Sequence, residues 1–357
     1  MLALERSSSY FLAVTEPNLL HPGVLHAQGE EQAALHERAA QAARSRFGRR
    51  VFIRGVVEVS NFCRQNCSYC GMRRSNRGLA RFRAHHEQLA ELLIHHRPAS
   101  VTDVNIQAGE DPIAVREVVL PLIRTLRRET NLGLSVCLGN LGPDLYDELH
   151  AAGATFCILK FEIANPARYA QFEAPGTFEE RIQTIRRLAQ AGWHVSSGFI
   201  AGLPGQSDDD LAANLNLAQQ LPVVGCSASP FIPGDETPLS GAPMSDINLT
   251  LNCMAALRLM RADWVIPAVS ALNLAQPGSG YGRGLRTGAN LVTINLTPPD
   301  LRGDYVLYRR DRFIMTEERI LQSIASEGLS PSAQGLAEFC RLGKVNGFHR
   351  TNSASPL

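Results

Sequence analysis

Three cysteines lie close together in one short segment, Cys63-Arg-Gln-Asn-Cys67-Ser-Tyr-Cys70, with the spacing C-x3-C-x2-C. Thiolates on one loop can hold three irons of a cubane iron–sulfur cluster. The fourth iron is then left without a protein ligand, and such an open iron can bind and reduce a small molecule. The segment therefore predicts a 4Fe–4S cluster with one open coordination site.

A zinc ion is the alternative interpretation of the same cysteines. A structural zinc site is closed by four ligands, commonly arranged in two pairs. The segment offers three thiols and no second pair nearby, so zinc would need His85 or His86 as its fourth ligand. Both histidines fall at the start of a predicted helix, where exposed side chains are expected. The ligand count favours the iron–sulfur cluster and leaves zinc as the weaker alternative.

The cysteine segment directly follows the first strand of a long strand–helix alternation. Apolar, β-branched runs separated by helical patterns recur along the chain. The predicted strands cover 51–60, 101–107, 132–138, 155–162, 195–201, 223–231, 265–271 and 291–296, and helices are predicted between them and at 30–46 and 317–327. Eight strands alternating with helices predict an α/β fold, a (β/α)8 TIM-type barrel with an N-terminal helix and a C-terminal extension.

This alternation divides the chain into three predicted parts. They are an N-terminal arm and helix at 1–48, the barrel at 49–300, and a C-terminal extension at 301–357. In barrels of this type the chemistry lies at the carboxyl ends of the strands, in the loops that lead to the helices. The cysteine segment occupies the first of these loops, so it should face the functional end of the barrel.

Composition argues against several other classes of protein. The 357 residues carry 35 Lys and Arg against 34 Asp and Glu, which gives no sign of a nucleic-acid or membrane-surface footprint. No apolar run approaches the ~20 residues needed to span a bilayer, and the N-terminus lacks the pattern of a signal peptide. We therefore expect a cytoplasmic protein, in which the eight cysteines do not form a disulfide framework.

The cysteine spacing, with the aromatic Tyr69 before the last cysteine, resembles the signature of the radical S-adenosylmethionine (SAM) superfamily. The resemblance extends to the branch of the [FeFe]-hydrogenase maturase HydE, of which methylornithine synthase and biotin synthase are more distant members. The similar segments are EVSNFCRQNCSYCGMRRSN…LARFR (58–83), QAGEDP (107–112), EIANP (162–166), GLPGQ (202–206), PFIPGDETPL (230–239), GLRTGAN (284–290) and NLTP (295–298).

This resemblance implies an enzyme with a 4Fe–4S cluster and SAM as cofactors. In the superfamily the open iron binds SAM, and one electron from the cluster cleaves SAM to a 5′-deoxyadenosyl radical. A reductant such as flavodoxin or ferredoxin is therefore expected as a partner. The substrate is expected to be a small molecule or a metallocofactor precursor, with neither nucleic acid nor membrane as a partner.

The resemblance also assigns residues to SAM. Glu162, at the end of the fourth predicted strand, would bind the methionine amine, and Arg181 on the following helix its carboxylate, for which the planar guanidinium is suited. Spacing alone would instead favour a surface charge for Arg181. Gly109-Glu110 resembles a short glycine–acid segment that meets the same ammonium. The other predicted SAM contacts are Tyr69, Gln107, Ser135, Ile200 and Leu203.

The barrel interior is predicted to hold the substrate, because alternate residues of each strand point inward. Cys137, Lys160 and Tyr305 are the predicted catalytic residues. Cys137 has two interpretations: a hydrogen-atom donor or metal ligand, or simply a small buried side chain. Two departures from the HydE pattern fall in this region, since Lys160-Phe161 replaces Arg-His and Gly139-Asn140 replaces Gly-Glu. Both departures remove charge that could hold an anionic or organometallic guest.

Three functions follow from these residues. The first is a HydE-like enzyme of metallocofactor maturation. The second is a radical SAM enzyme that acts on an organic substrate, by rearrangement as in methylornithine synthase or by sulfur insertion as in biotin or lipoyl synthase. The third is a non-catalytic iron–sulfur carrier, against which Glu162 and Arg181 argue, since a carrier need not bind SAM. Some HydE proteins carry a second cluster on C-terminal cysteines. Only Cys340 is present in that region here, so no second cluster is expected.

Overall fold

Parallel strands form the centre of the protein, which a computed structural model describes over residues 21–345. The strands are β1 Arg50–Ser60, β2 Asp103–Ala108, β3 Gly133–Cys137, β4 Phe156–Ile158, β5 His194–Ala201, β6 Gly225–Pro230 and β7 Leu291–Asn295. Their order in the sheet is β6-β5-β4-β3-β2-β1-β7, with parallel pairing throughout. A solved structure with this fold, reported below, confirms the predicted TIM-type architecture.

The predicted seventh strand, 265–271, is wrong as a strand. It is reduced to one bridge between Pro267 and Leu291, because proline has no N–H to donate to a ladder. The segment nevertheless joins β6 to β7, since Val265 N donates to Val224 O at 3.0 Å and Ala268 N donates to Leu291 O at 2.8 Å. Eight chain segments therefore surround the interior, although one of them lacks a ladder.

Helices cover the outside of the strands. They are α1 Pro22–Leu25, α2 Gly29–Phe47, α3 His86–His95, α4 Pro112–Ala114 with the π-helical turn Val115–Val119, α5 Leu120–Glu129, α6 Pro143–Ala152, α7 Pro166–Gln171, α8 Phe178–Gln190, α9 Asp208–Gln220, α10 Ile247–Met260, α11 Ala271–Ala275, α12 Gly280–Arg286, α13 Pro299–Arg302, α14 Glu317–Ser326 and α15 Leu336–Val345. Their apolar faces and the outer faces of the strands form one large hydrophobic core. Among the described residues, no helix is both long and apolar enough to cross a membrane.

Helix α8 begins at a sharply defined position, which matters because it carries Arg181 in its first turn. Thr177 Oγ1 accepts a hydrogen bond from Glu180 N at 3.2 Å, and the Glu180 carboxylate accepts one from Thr177 N at 3.1 Å. This reciprocal pair satisfies N–H groups that the helix itself leaves without acceptors. The T-x-x-E pattern thus fixes where the Arg181 side chain leaves the helix.

The C-terminal extension closes the amino-terminal end of the barrel. A two-residue strand, β8 Ser330–Pro331, pairs with the start of β1. Helix α15 then begins at Leu336, and the Asp103 carboxylate caps its first turn. The carboxylate accepts from Leu336 N at 2.7 Å and from Ala337 N at 2.9 Å. Phe339 and Cys340 pack with Phe47 in a small second core. The domain limits at 48/49 and 300/301 stay predictions, and residues 1–20 and 346–357 lie outside the described range.

Candidate active site

A cavity of about 360 Å³ opens at the carboxyl ends of the strands and extends into the barrel. It brings together most of the site residues that the sequence predicts. Those that line it are Cys63, Cys67, Tyr69, Cys70, Gln107, Gly109, Glu110, Cys137, Lys160, Glu162, Arg181, Ile200 and Tyr305. Ser135 and Leu203 lie behind this lining and are buried. Residues from seven separate chain segments therefore converge on one space.

The cysteine loop has little regular structure and is held in shape by Arg81, a residue that the sequence analysis did not single out. The Arg81 guanidinium donates to four backbone carbonyls at 2.6 to 3.1 Å, those of Asn61, Met72, Arg73 and Asn76. Asn61 Nδ2 adds bonds to Ala80 O at 2.7 Å and to Asp304 O at 2.8 Å. These carbonyls would accept from backbone N–H groups in a helix or strand. In this loop the Arg81 side chain donates to them instead.

Glu110 joins the cysteine loop to the ends of the second and third strands. Its carboxylate accepts from Arg64 Nε at 2.7 Å, from Gln65 Nε2 at 2.6 Å and from Asn140 N at 2.7 Å. Its backbone N donates to Cys63 Sγ at 3.4 Å. The carboxylate is thus already committed to protein groups, and its structural role is to position the loop.

Gly109 permits this close packing. A Cβ at this position would overlap the carbonyl oxygen of Phe62 and lie 2.9 Å from Cys63 Cβ. Only glycine lets the end of β2 approach the cysteine loop so closely.

Glu173 fixes the opposite side of the loop. Its carboxylate accepts from Arg73 Nη2 at 3.2 Å, from Ser68 Oγ at 3.4 Å and from Asn66 Nδ2 at 3.3 Å. Glu173 has a positive φ of 49°, which is uncommon for a residue other than glycine. No sequence pattern distinguishes this glutamate, because its partners come from a segment about 100 residues earlier in the chain.

The three sulfurs lie close enough to influence one another. Burial raises the pKa of the Cys70 thiol to about 12, and the neighbouring Cys63 adds to the shift. Burial, then Cys70 and Cys63, also raise the pKa of Cys67 well above its ordinary value. Buried thiols of this kind become thiolates when a metal supplies compensating positive charge. The donor set therefore suits a metal cluster.

The two histidines that could complete a zinc site do not line the cavity onto which the three cysteines open. His85 is exposed, and His86 Nδ1 lies 3.4 Å from a carboxylate oxygen of Glu87. A zinc ion needs its ligands around one point, whereas a cubane spreads three thiolates over three irons. The loop fits the second requirement better.

Arg181 is not a surface charge, contrary to what its spacing alone would favour. Only 3% of it is exposed. Its Nη2 donates to Pro175 O at 3.3 Å, and its buried Nε has no acceptor among the described residues. A buried guanidinium with an unused donor facing a cavity is suited to bind a carboxylate.

Glu162 lines the same cavity. The backbone bridges β5, because Glu162 N donates to Gly198 O and Ile200 N donates to Glu162 O, both at 3.0 Å. Its φ is 63°, a left-handed conformation that costs energy for a side chain with a Cβ. The predicted strand 155–162 ends early, at Ile158, and Glu162 rejoins β5 only through this bridge. The unusual backbone directs the carboxylate into the cavity instead of along the strand.

Lys160 forms an ion pair with Glu162, with Nζ 2.8 Å from Oε2. Burial alone would lower the pKa of Lys160, but the Glu162 carboxylate, together with Tyr308 and Cys137, raises it, so the net shift is upward. Lys160 is therefore an ammonium at neutral pH. The sequence placed both residues in the site without predicting that they contact each other.

Apolar side chains form the wall beside the cysteine loop. Ile200, Leu203 and Phe231 belong to one buried cluster, against which Tyr69 packs. Ile200 lines the cavity directly, and Leu203 supports it from behind. The Tyr69 hydroxyl is buried and has no partner among the described residues. This wall offers a flat apolar surface for a planar ring.

The deeper half of the cavity combines apolar walls with a few polar groups. Burial raises the pKa of Cys137 to about 11, so its thiol is neutral near pH 7. Ser135 Oγ donates to Asn105 Oδ1 at 3.1 Å, one layer below Cys137. Arg54, which the sequence analysis did not single out, is buried there and, within the described range, no carboxylate pairs with it. Its nearest acceptor is Thr293 Oγ1 at 3.5 Å.

The segment after β7 covers the mouth of the cavity. Tyr305 is buried beneath it, and Arg312 pairs with Glu58 through contacts of 2.7 and 3.0 Å. Arg312 also donates to Arg302 O at 2.7 Å. The C-terminal extension thus covers the cavity at one end of the barrel and closes the barrel at its amino-terminal end.

Comparisons with known proteins agree with this geometry. The Radical SAM superfamily matches the chain over residues 57–218. The [FeFe] hydrogenase maturase subunit HydE of Thermotoga maritima is 33% identical over 275 residues, which cover 77% of this chain and 78% of HydE. The 3-methylornithine synthase of Methanosarcina barkeri is 27% identical over 81% of this chain and 82% of its own length.

A solved structure supports the fold independently. The crystal structure of methylornithine synthase (PylB) superposes with a TM-score of 0.79 at 24% identity, and covers 89% of this chain and 94% of PylB. The cysteine loop lies inside the matched segment, at the functional end of the same architecture. This chain therefore belongs to the radical SAM superfamily, and is a radical SAM enzyme of the group that contains HydE, methylornithine synthase and biotin synthase.

Proposed function

We propose that this enzyme binds a 4Fe–4S cluster through Cys63, Cys67 and Cys70, and binds SAM in the adjoining part of the cavity. When bound, the cluster supplies the electron that cleaves SAM to a 5′-deoxyadenosyl radical. The observation that carries the proposal is that Glu162 and Arg181, which are opposite in charge, face the cavity into which the cysteines open. The methionine end of SAM carries an ammonium and a carboxylate, which complement the charges of Glu162 and Arg181.

The chain's own residues then have distinct roles toward SAM. Arg181 binds the carboxylate through its Nε, for which the described residues provide no acceptor, and Glu162 accepts from the ammonium. The backbone of Gly109-Glu110 borders the same end. Tyr69 and Ile200 enclose the adenine, with Leu203 behind Ile200. Gln107 borders the ribose side, and Ser135 supports it through Asn105, whose Nδ2 donates to Gln107 Oε1 at 3.3 Å.

Reductive cleavage can be tested directly. Protein reconstituted anaerobically with iron and sulfide, then mixed with dithionite and SAM, should release 5′-deoxyadenosine. A variant with the three loop cysteines changed to alanine should release none, whereas Cys253→Ala, which removes a cysteine buried in α10, should behave as wild type. An intact cluster without any cleavage, with dithionite or with reduced flavodoxin or ferredoxin, would refute the proposal.

For the substrate, we propose a small molecule processed as in HydE-type metallocofactor maturation, since HydE shows the highest identity among the relatives described above. Cys137, Lys160 and Tyr305 line the chamber and are the proposed catalytic residues. The neutral Cys137 thiol can give a hydrogen atom, and the Tyr305 phenol and the Lys160 ammonium can orient polar groups of the substrate. Cys137→Ser should leave 5′-deoxyadenosine release intact and reduce formation of the final product.

A second candidate is an organic substrate, as for methylornithine synthase. The composition of the deep chamber favours it, because Phe156, Val265 and Leu291 form apolar walls there. A cell-free hydrogenase maturation mixture that lacks HydE separates the two candidates. If adding this protein restores hydrogenase activity, the result supports metallocofactor maturation. If the added protein cleaves SAM but hydrogenase activity is not restored, the result supports an organic substrate.

A further inference from the structure

Glu162, the proposed acceptor for the methionine ammonium, already holds a cation of the protein. Lys160 Nζ lies 2.8 Å from its Oε2, and the two side chains are 22% and 17% exposed. The lysine stem crosses Gly198, where an added Cβ would lie 3.1 Å from Lys160 Cε. The ammonium therefore occupies one oxygen of the carboxylate that SAM would need.

The other two carboxylates that line the cavity are held differently. Glu58 accepts two bonds from the Arg312 guanidinium, and Glu110 accepts bonds from three separate groups. Guanidinium pairs of this kind are fixed in geometry, whereas a lysine ammonium is a point charge on a flexible stem. Of these described carboxylates, Glu162 is thus the one whose partner can leave at the smallest cost.

We propose that Lys160 and the methionine ammonium are alternative partners of Glu162, so that SAM binding displaces Lys160 into the chamber. This inference rests on the proposed function and deepens it. Two ammonium groups at one carboxylate repel each other in a site of low dielectric constant. Arg181 remains for the methionine carboxylate, and nothing in the exchange requires it to move.

The displaced ammonium has a defined place to go. Cys137, Tyr308 and Ser227 line the chamber within reach of the Lys160 stem. The move transfers positive charge from the SAM end to the substrate end of the cavity, where it favours an anionic group on the second substrate. In addition to its proposed contact with the substrate, Lys160 thus couples the two binding events, and such coupling is reciprocal.

Calorimetric titration of SAM into the anaerobically reconstituted protein tests the exchange without relying on catalysis. Lys160→Met removes the competing ammonium and keeps the length of the side chain, so it should bind SAM on the order of tenfold more tightly than wild type. Lys160→Arg keeps the charge and should not bind more tightly than wild type. Equal or weaker SAM binding by Lys160→Met, with iron content and circular dichroism unchanged, would overturn the proposal.

A probe anion tests the second half. At constant ionic strength, inorganic sulfate should tighten SAM binding to wild type several-fold and leave Lys160→Met unaffected, because the variant has no ammonium to release. Sulfate that affects both proteins equally, or neither, would refute the coupling. Failure of the proposed function looks different, since wild type would then neither bind SAM nor release 5′-deoxyadenosine.

Discussion

Arg181 carries a charge in a buried position, and one of its donors has no acceptor among the described residues. A buried guanidinium with a donor left unused is costly unless a ligand completes it. Arg181→Met should therefore weaken SAM binding by about 10- to 100-fold, the range expected for hydrogen bonds to a charged group, with little change in cluster content. Calorimetry and iron analysis measure the two quantities separately.

Arg187→Met is the matched control, because Arg187 is exposed on the same helix. Its SAM affinity should equal that of wild type. A loss of cluster in Arg181→Met, or equal SAM affinities in the two variants, would mean that Arg181 is structural and does not bind SAM.

Single residues also show where sequence reasoning ends. The spacing of Cys63, Cys67 and Cys70 predicted one loop because ligands for one cluster must be close in sequence or in space, and here they are close in sequence. The ion pairs Glu110–Arg64 and Glu173–Arg73 join segments that are distant in the sequence. The partner of each charged side chain therefore cannot be deduced without the fold. For Arg181, helical position alone could not tell burial from exposure, so the surface position that spacing favoured is wrong, whereas the SAM contact that the family resemblance implies stays a prediction.

At the scale of elements, the cysteine loop depends on Arg81 in place of a strand or helix. Arg81→Met leaves four backbone carbonyls without their donor, so the loop should lose its preformed shape while the barrel persists. We expect reconstituted protein to hold less iron and to lose its cluster absorbance several-fold faster in air, with unchanged far-ultraviolet circular dichroism.

Arg77→Met provides the comparison for this loop, because Arg77 is exposed in the same segment. Its iron content and cluster lifetime should match wild type. If both variants kept their clusters equally well, the loop would be held by the Glu110 and Glu173 ion pairs, and Arg81 would be dispensable.

Elements also differ in how well the sequence predicts them. Helices α8 and α9, for example, begin directly after the capping residues Thr177 and Ser207, so T-x-x-E and S-x-x-D patterns in the sequence mark their first turns. The predicted strand 265–271 failed at Pro267, and the predicted strand 155–162 was too long, since β4 ends at Ile158 and only Glu162 rejoins β5 through a bridge. Pro267 and Glu162 both line the cavity. Departures from regular strand structure are expected at such positions, because the backbone there places functional groups.

At the scale of the whole molecule, the C-terminal extension joins the two ends of the barrel. Asp103, buried at the amino-terminal end, caps helix α15 through Leu336 N and Ala337 N. Asp103→Ala removes this cap and should lower the free energy of unfolding by about 1–2 kcal/mol. Thermal unfolding measures it, and Asp147→Ala, an exposed carboxylate on α6, should have almost no effect. Similar losses in both variants would contradict the capping role.

The cover over the cavity depends on the buried pair between Glu58 and Arg312, whose side chains are 3% and 13% exposed. Removing one partner leaves the other charge buried and unpaired, which typically costs about 3–5 kcal/mol. Glu58→Gln and Arg312→Met should therefore each lower stability and speed amide hydrogen exchange across 304–314. The double variant leaves neither charge unpaired and should be destabilised by less than the sum of the single changes. Additive effects in unfolding and exchange would mean that the pair does not hold the cover, and that Arg312 acts only through its bond to Arg302 O.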